Sequence, residues 1–289
     1  MNDTWLLLDC NLLCHRIRWS SSRLGSLAFN FLRDLFCFQR LFDAEYLIFA
    51  WDLGRSKRVE ILPEYKANRH KGQTTEERET QKIFRKEMRE LRLHMLPEMG
   101  YTNILASPGI EADDWIAQSC RSIAYIWPKD EMIIISADHD LLQCLSEHVK
   151  QYNPNRKKLH TLQSFFTEKR IVPREWSRVK ALAGCSSDNI PGIKGVGEKT
   201  AIQYILDSLK RGGVKWNSIQ NNVQTYFRNL PLVTLPMKGT PDVHPNKSKV
   251  EARRWRAVVK KLGMTTLKKR GPYVDLGISR RTHSKWELR

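Results

Sequence analysis

The hydrophobic positions along this chain gather into a few dense runs, each cut off by aspartate. Trp5 to Leu8, Tyr46 to Trp51 and Met132 to Ile135 are unbroken apolar stretches of strand length, the pattern of strands buried on both faces of a parallel sheet. Asp9 and Asp52 end the first two, and Asp138 and Asp140 follow the third. Between these runs the spacing turns helical. Leu27, Phe31, Leu35 and Phe38, with Ala28, Leu32 and Phe36 close by, predict a largely buried helix. Ile116, Cys120, Ile123, Ala124 and Trp127 predict a second helix that begins beside Glu111. Asn103 to Ser107 reads as a short strand, and Leu141, Leu142 and Leu145 open another buried helix. Beyond about residue 160 the pattern is mainly helical. The expected fold class is α/β with a mostly parallel central sheet.

Open α/β sheets carry their sites at the carboxyl ends of the strands. Gly109-Ile110-Glu111-Ala112-Asp113-Asp114 adds three carboxylates at a helix start. There each gains about 0.3–1 kcal/mol from the helix dipole, while their mutual repulsion calls for a cation. Taken alone, such acids are ordinary first-turn decoration. In company with Asp9, Asp52, Asp138 and Asp140, they bring acids from four segments to one edge. Hard oxygen donors without matching His or Cys clusters suit magnesium or manganese rather than zinc.

Charge changes the picture next. The 289 residues, 41% of them hydrophobic, suffice for one large domain or two small ones, yet the formal net charge is +18 and the pI near 9.8. A basic surface around an acidic site implies a polyanionic partner, with nucleic acid ranked ahead of an anionic membrane and charge alone not deciding between the two. The six cysteines, at 10, 14, 37, 120, 144 and 185, form no C-x-x-C pair and fit a reducing cytoplasm. Cys10, Cys14 and His15 lack a second ligand pair at metal-site spacing. No signal peptide is evident, and no uncharged run reaches the roughly 18 apolar residues of a membrane span.

From Leu53 to Glu98 the chain is polar, with twelve Lys or Arg against eight Glu, and reads as an excursion from the sheet. Its second part, Glu76 to Leu96, has the charge spacing of an exposed, salt-bridged helix. Its first part places Arg55, Lys57, Arg58, Lys66 and Arg69 close behind a strand-end acid, where cations could hold phosphates. Farther on, Glu175 to Leu182 predicts a helix bearing Lys180. The loop after it has glycines at 192, 195 and 197 ahead of an apolar helical face. Such a turn offers backbone N–H groups to phosphate at a helix start, although a plain structural turn has the same glycines. Glu198 intrudes before Lys199 in any P-loop alignment, and a third dinucleotide-fingerprint glycine is missing. A proline-rich linker follows from Arg228 to Asn246, then a strongly basic segment.

The ordered set LLLDCNLLCHR, FAWD, RVEILPEYKANR, GIEADDWIA, IISADHDLLQCL and KALAGCSSDNIPGIKGVGEKTA resembles the structure-specific 5′ nuclease family. That family includes flap endonucleases, phage 5′→3′ exonucleases and the 5′-nuclease domain of bacterial DNA polymerase I. The resemblance implies a PIN-like core over 1–160 with an arch at about 53–98, and a helical duplex-binding lobe over 161–289. Within that lobe a helix-three-turn-helix would span about 175–209. It implies Asp9, Asp52, Glu111, Asp113 and Asp114 at a first metal, and Asp138, Asp140 and Asp188 at a second, with Mg2+ as cofactor and Mn2+ able to substitute. Lys66 and Arg69 become the catalytic cations beside the scissile phosphate, and Arg58, Lys180, Gly192, Gly195, Gly197 and Lys199 become DNA contacts.

The implied activity is 5′→3′ exonuclease or flap endonuclease action on DNA, with RNA primers or RNA:DNA hybrids as further substrates, in phage replication. The implied setting is a monomer in the host cytoplasm, without membrane, beside a replication polymerase or single-strand-binding protein. The alternatives are a catalytically weakened DNA-binding protein of the same fold and an acidic-site ribonuclease. One position departs from the pattern. The family usually has aspartate after Gly184, and here Cys185 implies a thinner second metal site that favours manganese over magnesium.

Overall fold

The computed structural model describes residues 2–20, 27–70, 74–247 and 250–263. In chain order, β1 (Thr4–Asp9), α1 (Cys10–Ser20), α2 (Leu27–Phe42) and β2 (Tyr46–Ala50) open the fold. A polar segment leads to α3 (Thr75–Glu90), a π turn at Leu91–Met95 and α4 (Leu96–Met99). The sheet continues through β3 (Ile104–Leu105), α5 (Ala112–Ile126), β4 (Glu131–Ile135), β5 (Val149–Asn153) and β6 (Lys158–His160). The helical part comprises α6 (Leu162–Lys169), α7 (Trp176–Ala183), the short pair β7 (Gly184–Cys185) and β8 (Ile190–Pro191), α8 (Glu198–Ile205), α9 (Val214–Asn221), α10 (Val223–Val233) and α11 (Ala252–Lys261).

The large sheet runs β3-β2-β1-β4-β5-β6. All its pairings are parallel except β5 with β6. Strand alternation explains the apolar runs. Leu6, Leu8, Leu47, Phe49, Ile133 and Ile135 enter one core layer with α1, α2 and α11, while Trp5, Leu7, Ile48, Ala50, Met132 and Ile134 enter another with α5. With both faces covered, polar residues are confined to the ends of these strands, Thr4 and Asp9 in β1 and Glu131 in β4. The mostly parallel α/β class expected from the sequence is the fold observed.

Several local expectations change in three dimensions. The polar excursion is not wholly solvated: Phe84, Leu91, Leu96 and Met99 form a buried stripe in the α1/α2 layer. Thr74 and Glu77 exchange reciprocal bonds as a capping box at the start of α3. The expected helix at Leu141 is a short 3₁₀ segment, His139–Cys144. Ala124 is exposed, so the buried stripe of α5 rests on Ile116, Cys120 and Ile123. The linker expected from Arg228 is helical as far as Val233.

Core packing also runs across residue 160. Leu142 and Leu145 share a core with α7 and the loop residues Ile193 and Val196. Leu235 and Val243 return to the α5 layer, and Trp255 of α11 packs in the α1/α2 layer. Part of the basic C-terminal stretch is thus anchored on the core; Lys268, Lys269 and Arg270 lie outside the described residues. Among the described residues, no helix is long and apolar enough to cross a membrane.

Candidate metal centre

β1 lies between β2 and β4, with α1 and α2 leading to β2 in one core layer and α5 leading to β4 in the other, so its carboxyl end is the switch point at which α/β sheets place their sites. Asp9 stands there. Its Oδ2 accepts a 2.9 Å hydrogen bond from Ser136 Oγ, and the same hydroxyl accepts one of 3.1 Å from the Asp138 backbone N–H. Ser136 thus joins the acidic ends of β1 and β4. Asp52, after β2, accepts a 2.7 Å bond from the Ala112 N–H and so fixes the start of α5.

Glu111 occupies the N-cap of α5, with Asp113 and Asp114 in its first turn. Oxygens of these three carboxylates lie within 4.8 Å of one another. Two cations hold the group together. Arg58 grips Asp114 through both terminal nitrogens, at 2.6 and 2.9 Å, and reaches Glu111 at 2.8 Å. Lys66 Nζ bonds Glu111 from the other side. Tyr65 adds its hydroxyl to Glu111 at 2.9 Å and to Asp188 at 3.4 Å.

The second group gathers from the helical side. Asp140, Cys185 and Asp188 each place a donor atom within 4.8 Å of the others, and Lys180 Nζ lies 2.9 Å from Asp140 Oδ1. Backbone contacts bring this group to the first. Lys66 N–H donates to the Asp188 carbonyl at 2.9 Å, Asn189 donates to the Glu64 carbonyl at 2.8 Å, and Asn68 donates to the Ser186 carbonyl at 3.3 Å. Lys66 holds φ +54, a strained setting for a lysine, and thereby meets both Asp188 and Glu111.

All eight acids named from the sequence therefore sit on one edge of the molecule, but their roles diverge. Asp114 is fully buried, and its oxygens are taken by Arg58 and by the Met237 N–H at 2.7 Å. It acts through Arg58 and α5. Arg58, expected as a DNA contact, is only 1% exposed and donates its Nε to the Leu232 carbonyl. That expectation is corrected: the acids need an internal counter-charge, and Arg58 supplies it. Lys180, read likewise as a DNA contact, is turned inward onto Asp140. Arg69 falls in a 3₁₀ turn, Ala67–His70, and its side chain lies outside the described part of the structure.

Gly192 packs its Cα against α7, where a Cβ would stand 2.1 Å from the Ala183 carbonyl oxygen, so its role is closure of the loop. Gly195, at φ +78, and Gly197, the N-cap of α8, face open space with Lys199 exposed beside them. Ser136, Tyr65 and Asn11, whose side chain accepts from the Asp52 N–H at 3.1 Å, were not singled out from the sequence. All three lie inside motifs already noted, and position within a motif is the signal the sequence offers for them.

The donor set fits divalent cations. Burial and the neighbouring Asp52 push the Asp9 carboxyl up to about 7, and burial and Asp140 push Asp138 up to about 6. Burial, followed by Asp114 and Glu111, also raises Asp113 against the opposing effect of Arg58. Glu111 is opposite: burial resists its ionisation, but Lys66 and Arg58 hold it below the ordinary range. The edge thus carries more carboxylates than its cations neutralise.

A pH-dependent response to metal follows. Asp9 and Asp138 bind protons more tightly folded than unfolded, where they ionise near 3.8. Their contribution to stability is therefore present below about pH 4 and is lost as pH rises through about 6 to 7. Chelator-treated protein should lose melting temperature between pH 5 and 8, and millimolar magnesium or manganese should restore more at pH 8 than at pH 5. Equal metal-induced shifts at both values would separate these two acids from the cation site.

Fold and centre together define an α/β protein with acids from several strands converging at the switch point of its sheet. Residues 4–174 match the family model described as 5'-3' exonuclease, N-terminal resolvase-like domain, and the chain belongs to that family. It is 32% identical over 183 residues to a 5'-3' exonuclease of Bacillus subtilis, covering 61% of this chain and 57% of that protein. Over the same length it is 37% identical to a 5'-3' exonuclease of Halalkalibacterium halodurans, covering 61% and 55%. The chain thus spans somewhat more than half the length of these curated relatives. Among solved structures, T5 5'-exonuclease with divalent metal ions (zinc) bound has the same fold, with a TM-score of 0.72 at 22% identity over 92% of this chain and 96% of that one.

Proposed function

We propose that this chain is a divalent-metal-dependent 5′ nuclease that hydrolyses phosphodiester bonds near the 5′ end of DNA. The observation that carries the reading is the convergence of Asp9, Asp52, Glu111, Asp113, Asp138, Asp140 and Asp188 on one sheet edge, with Lys66 between the two acid groups. Asp9, Asp52, Glu111 and Asp113 would hold one cation, and Asp140, Cys185 and Asp188 with Asp138 a second. When bound, two such ions lower the pKa of water and offset charge on the attacking and leaving oxygens. Magnesium is the proposed physiological ion at the first position.

The protein's own groups position and neutralise. Arg58 and Asp114 keep Glu111 aimed at the centre. Lys66, partly exposed and already facing Glu111 and Asp188, is the side chain placed to meet charge on a phosphate oxygen. The segment at about 53–98 serves as an arch over the single-stranded 5′ end, with Arg69 as a second cation. The turn over about 175–209 serves as a helix-three-turn-helix, where Gly195, Gly197 and Lys199 grip a duplex phosphate at the start of α8. Removal of 5′ segments in replication, including RNA primers, is the setting this reading assigns.

Labelled 5′-flap DNA, blunt duplex, single strand and RNA:DNA hybrid, each with magnesium or with chelator, test the proposal. Metal-dependent release from the 5′ end of DNA is expected, with Asp113→Asn inactive. Binding without cleavage in magnesium would identify a non-catalytic DNA-binding protein, and cleavage confined to RNA strands a ribonuclease. For the duplex grip, Gly197→Val has room to fold, because nothing lies within 4 Å of a Cβ there. It should lower duplex affinity about tenfold and flatten its salt dependence, leaving metal-induced stabilisation unchanged. Full duplex affinity in the folded variant would leave the turn a purely structural role.

A further inference from the structure

One donor at the second cation position is sulfur. Cys185 ends β7 opposite Ile190, and its Sγ lies within 4.8 Å of carboxylate oxygens of both Asp140 and Asp188. Cys185 is buried, and its Sγ stands 3.1 Å from Ser187 Oγ. Its place is set by the backbone. Gly184 holds φ +78 so tightly against the returning strand that a Cβ would stand 2.3 Å from the Gly192 nitrogen. The hairpin therefore presents Cys185 from a close-packed turn.

A positive charge already sits among these donors. Lys180 Nζ is 2.9 Å from Asp140 Oδ1 and 3.9 Å from Cys185 Sγ. The donors thus converge on a cation in this structure, and that cation is part of the chain. Magnesium demands near-octahedral oxygen ligands and sheds water reluctantly. A thiolate instead strengthens binding of borderline ions such as zinc and cobalt, and the general order places manganese above neither of them.

We infer that Cys185 is a specificity-determining residue of the second cation position. With Asp140 and Asp188 it makes a mixed sulfur and oxygen donor set that selects zinc, cobalt or cadmium over magnesium. The inference rests on the proposed reading of this edge as a two-cation nuclease centre. On binding, the S–H bond breaks, a sulfur–metal bond forms and the proton leaves to solvent; the metal remains divalent, so no oxidant or reductant is needed. The incoming ion displaces the Lys180 ammonium from Asp140, exchanging one positive charge for two.

Cobalt(II) and cadmium(II), titrated into the full chain, give the test. Each should produce an ultraviolet sulfur-to-metal charge-transfer band, at longer wavelength for cobalt than for cadmium, that saturates at one equivalent. The band should be lost in Cys185→Ser and kept in Cys37→Ser, which removes an exposed thiol. In the natural protein, cadmium should protect Cys185 from alkylation in a peptide map, a readout that needs no variant. Cys185→Asp should abolish the band and move magnesium-induced stabilisation to severalfold lower concentration. Stabilisation by magnesium with no sulfur band, or a band that survives Cys185→Ser, would overturn the inference while leaving the nuclease reading intact. If no divalent ion altered melting or absorbance, both would fall.

Discussion

Arg58→Ala is expected to destabilise the protein by about 3–5 kcal/mol, the usual cost of stranding a buried charge by deleting its partner. The guanidinium is only 1% exposed and joins Asp114, Glu111 and the Leu232 carbonyl. Its removal leaves buried Asp114 with no cation, leaves Glu111 with Lys66 alone, and detaches the end of α10 from the 3₁₀ turn Lys57–Glu60. For a chain of this size the loss corresponds to about 6–20 °C in melting temperature. Arg58→Lys should recover only part of it, because an ammonium cannot reproduce the paired contact with Asp114. Asp114→Asn should cost less, since the amide keeps one acceptor for Arg58. A folded Arg58→Ala protein with unchanged melting and weakened DNA binding would restore the surface role expected from the sequence.

Lys66→Ala should act on chemistry rather than on affinity. Removing one fixed charge-stabilising donor typically costs about 100- to 1,000-fold in the chemical step. Single-turnover cleavage of a 5′-flap duplex should fall by that factor, while the dissociation constant measured with chelator changes by less than about threefold, as for one phosphate contact among many. Lys66 is suited to this because its Nζ faces Glu111 and Asp188, one acid from each group. Lys66→Arg should rescue incompletely, since the side chain leaves a backbone at φ +54 and the broader guanidinium must fit between the two acids. A defect confined to binding, with the bound complex cutting at the natural rate, would return Lys66 to the general basic surface.

The two variants mark where reading along the chain succeeds and where it stops. Lys66 and Arg58 look alike in sequence, two cations eight positions apart in one polar stretch. The structure leaves Lys66 partly exposed and buries Arg58. Burial depends on what arrives from elsewhere: Asp114 comes from α5 and Leu232 from α10, so no local pattern marks the difference. Phe84 and Leu91 were likewise hidden in a charge-rich helix, because two apolar residues a turn or two apart make a weak stripe until α1 and α2 cover them. The same limit applies to Ser136. Its hydroxyl matters only because β1 and β4 are neighbours, and nothing in either strand alone records that pairing.

By itself the sequence determined the central strands β1, β2 and β4, the buried face of α2 and the placing of an acid behind each of those strands, while β5 and β6, with polar residues along them, emerged only in the fold. These are local properties: unbroken apolar runs suit a doubly covered sheet, and the residue after such a run lies at its carboxyl edge. It also displayed the odd sulfur among oxygens, since Cys185 is visible in any reading of its motif. Only the tertiary structure decided how the acids divide. Asp114 is spent on Arg58, Lys180 lies against Asp140, and Lys66 bridges toward both groups. Coulomb energy depends on distance and burial rather than on order along the chain, and both quantities exist only after β1, β2, β4 and the β7–β8 hairpin have been brought to one edge.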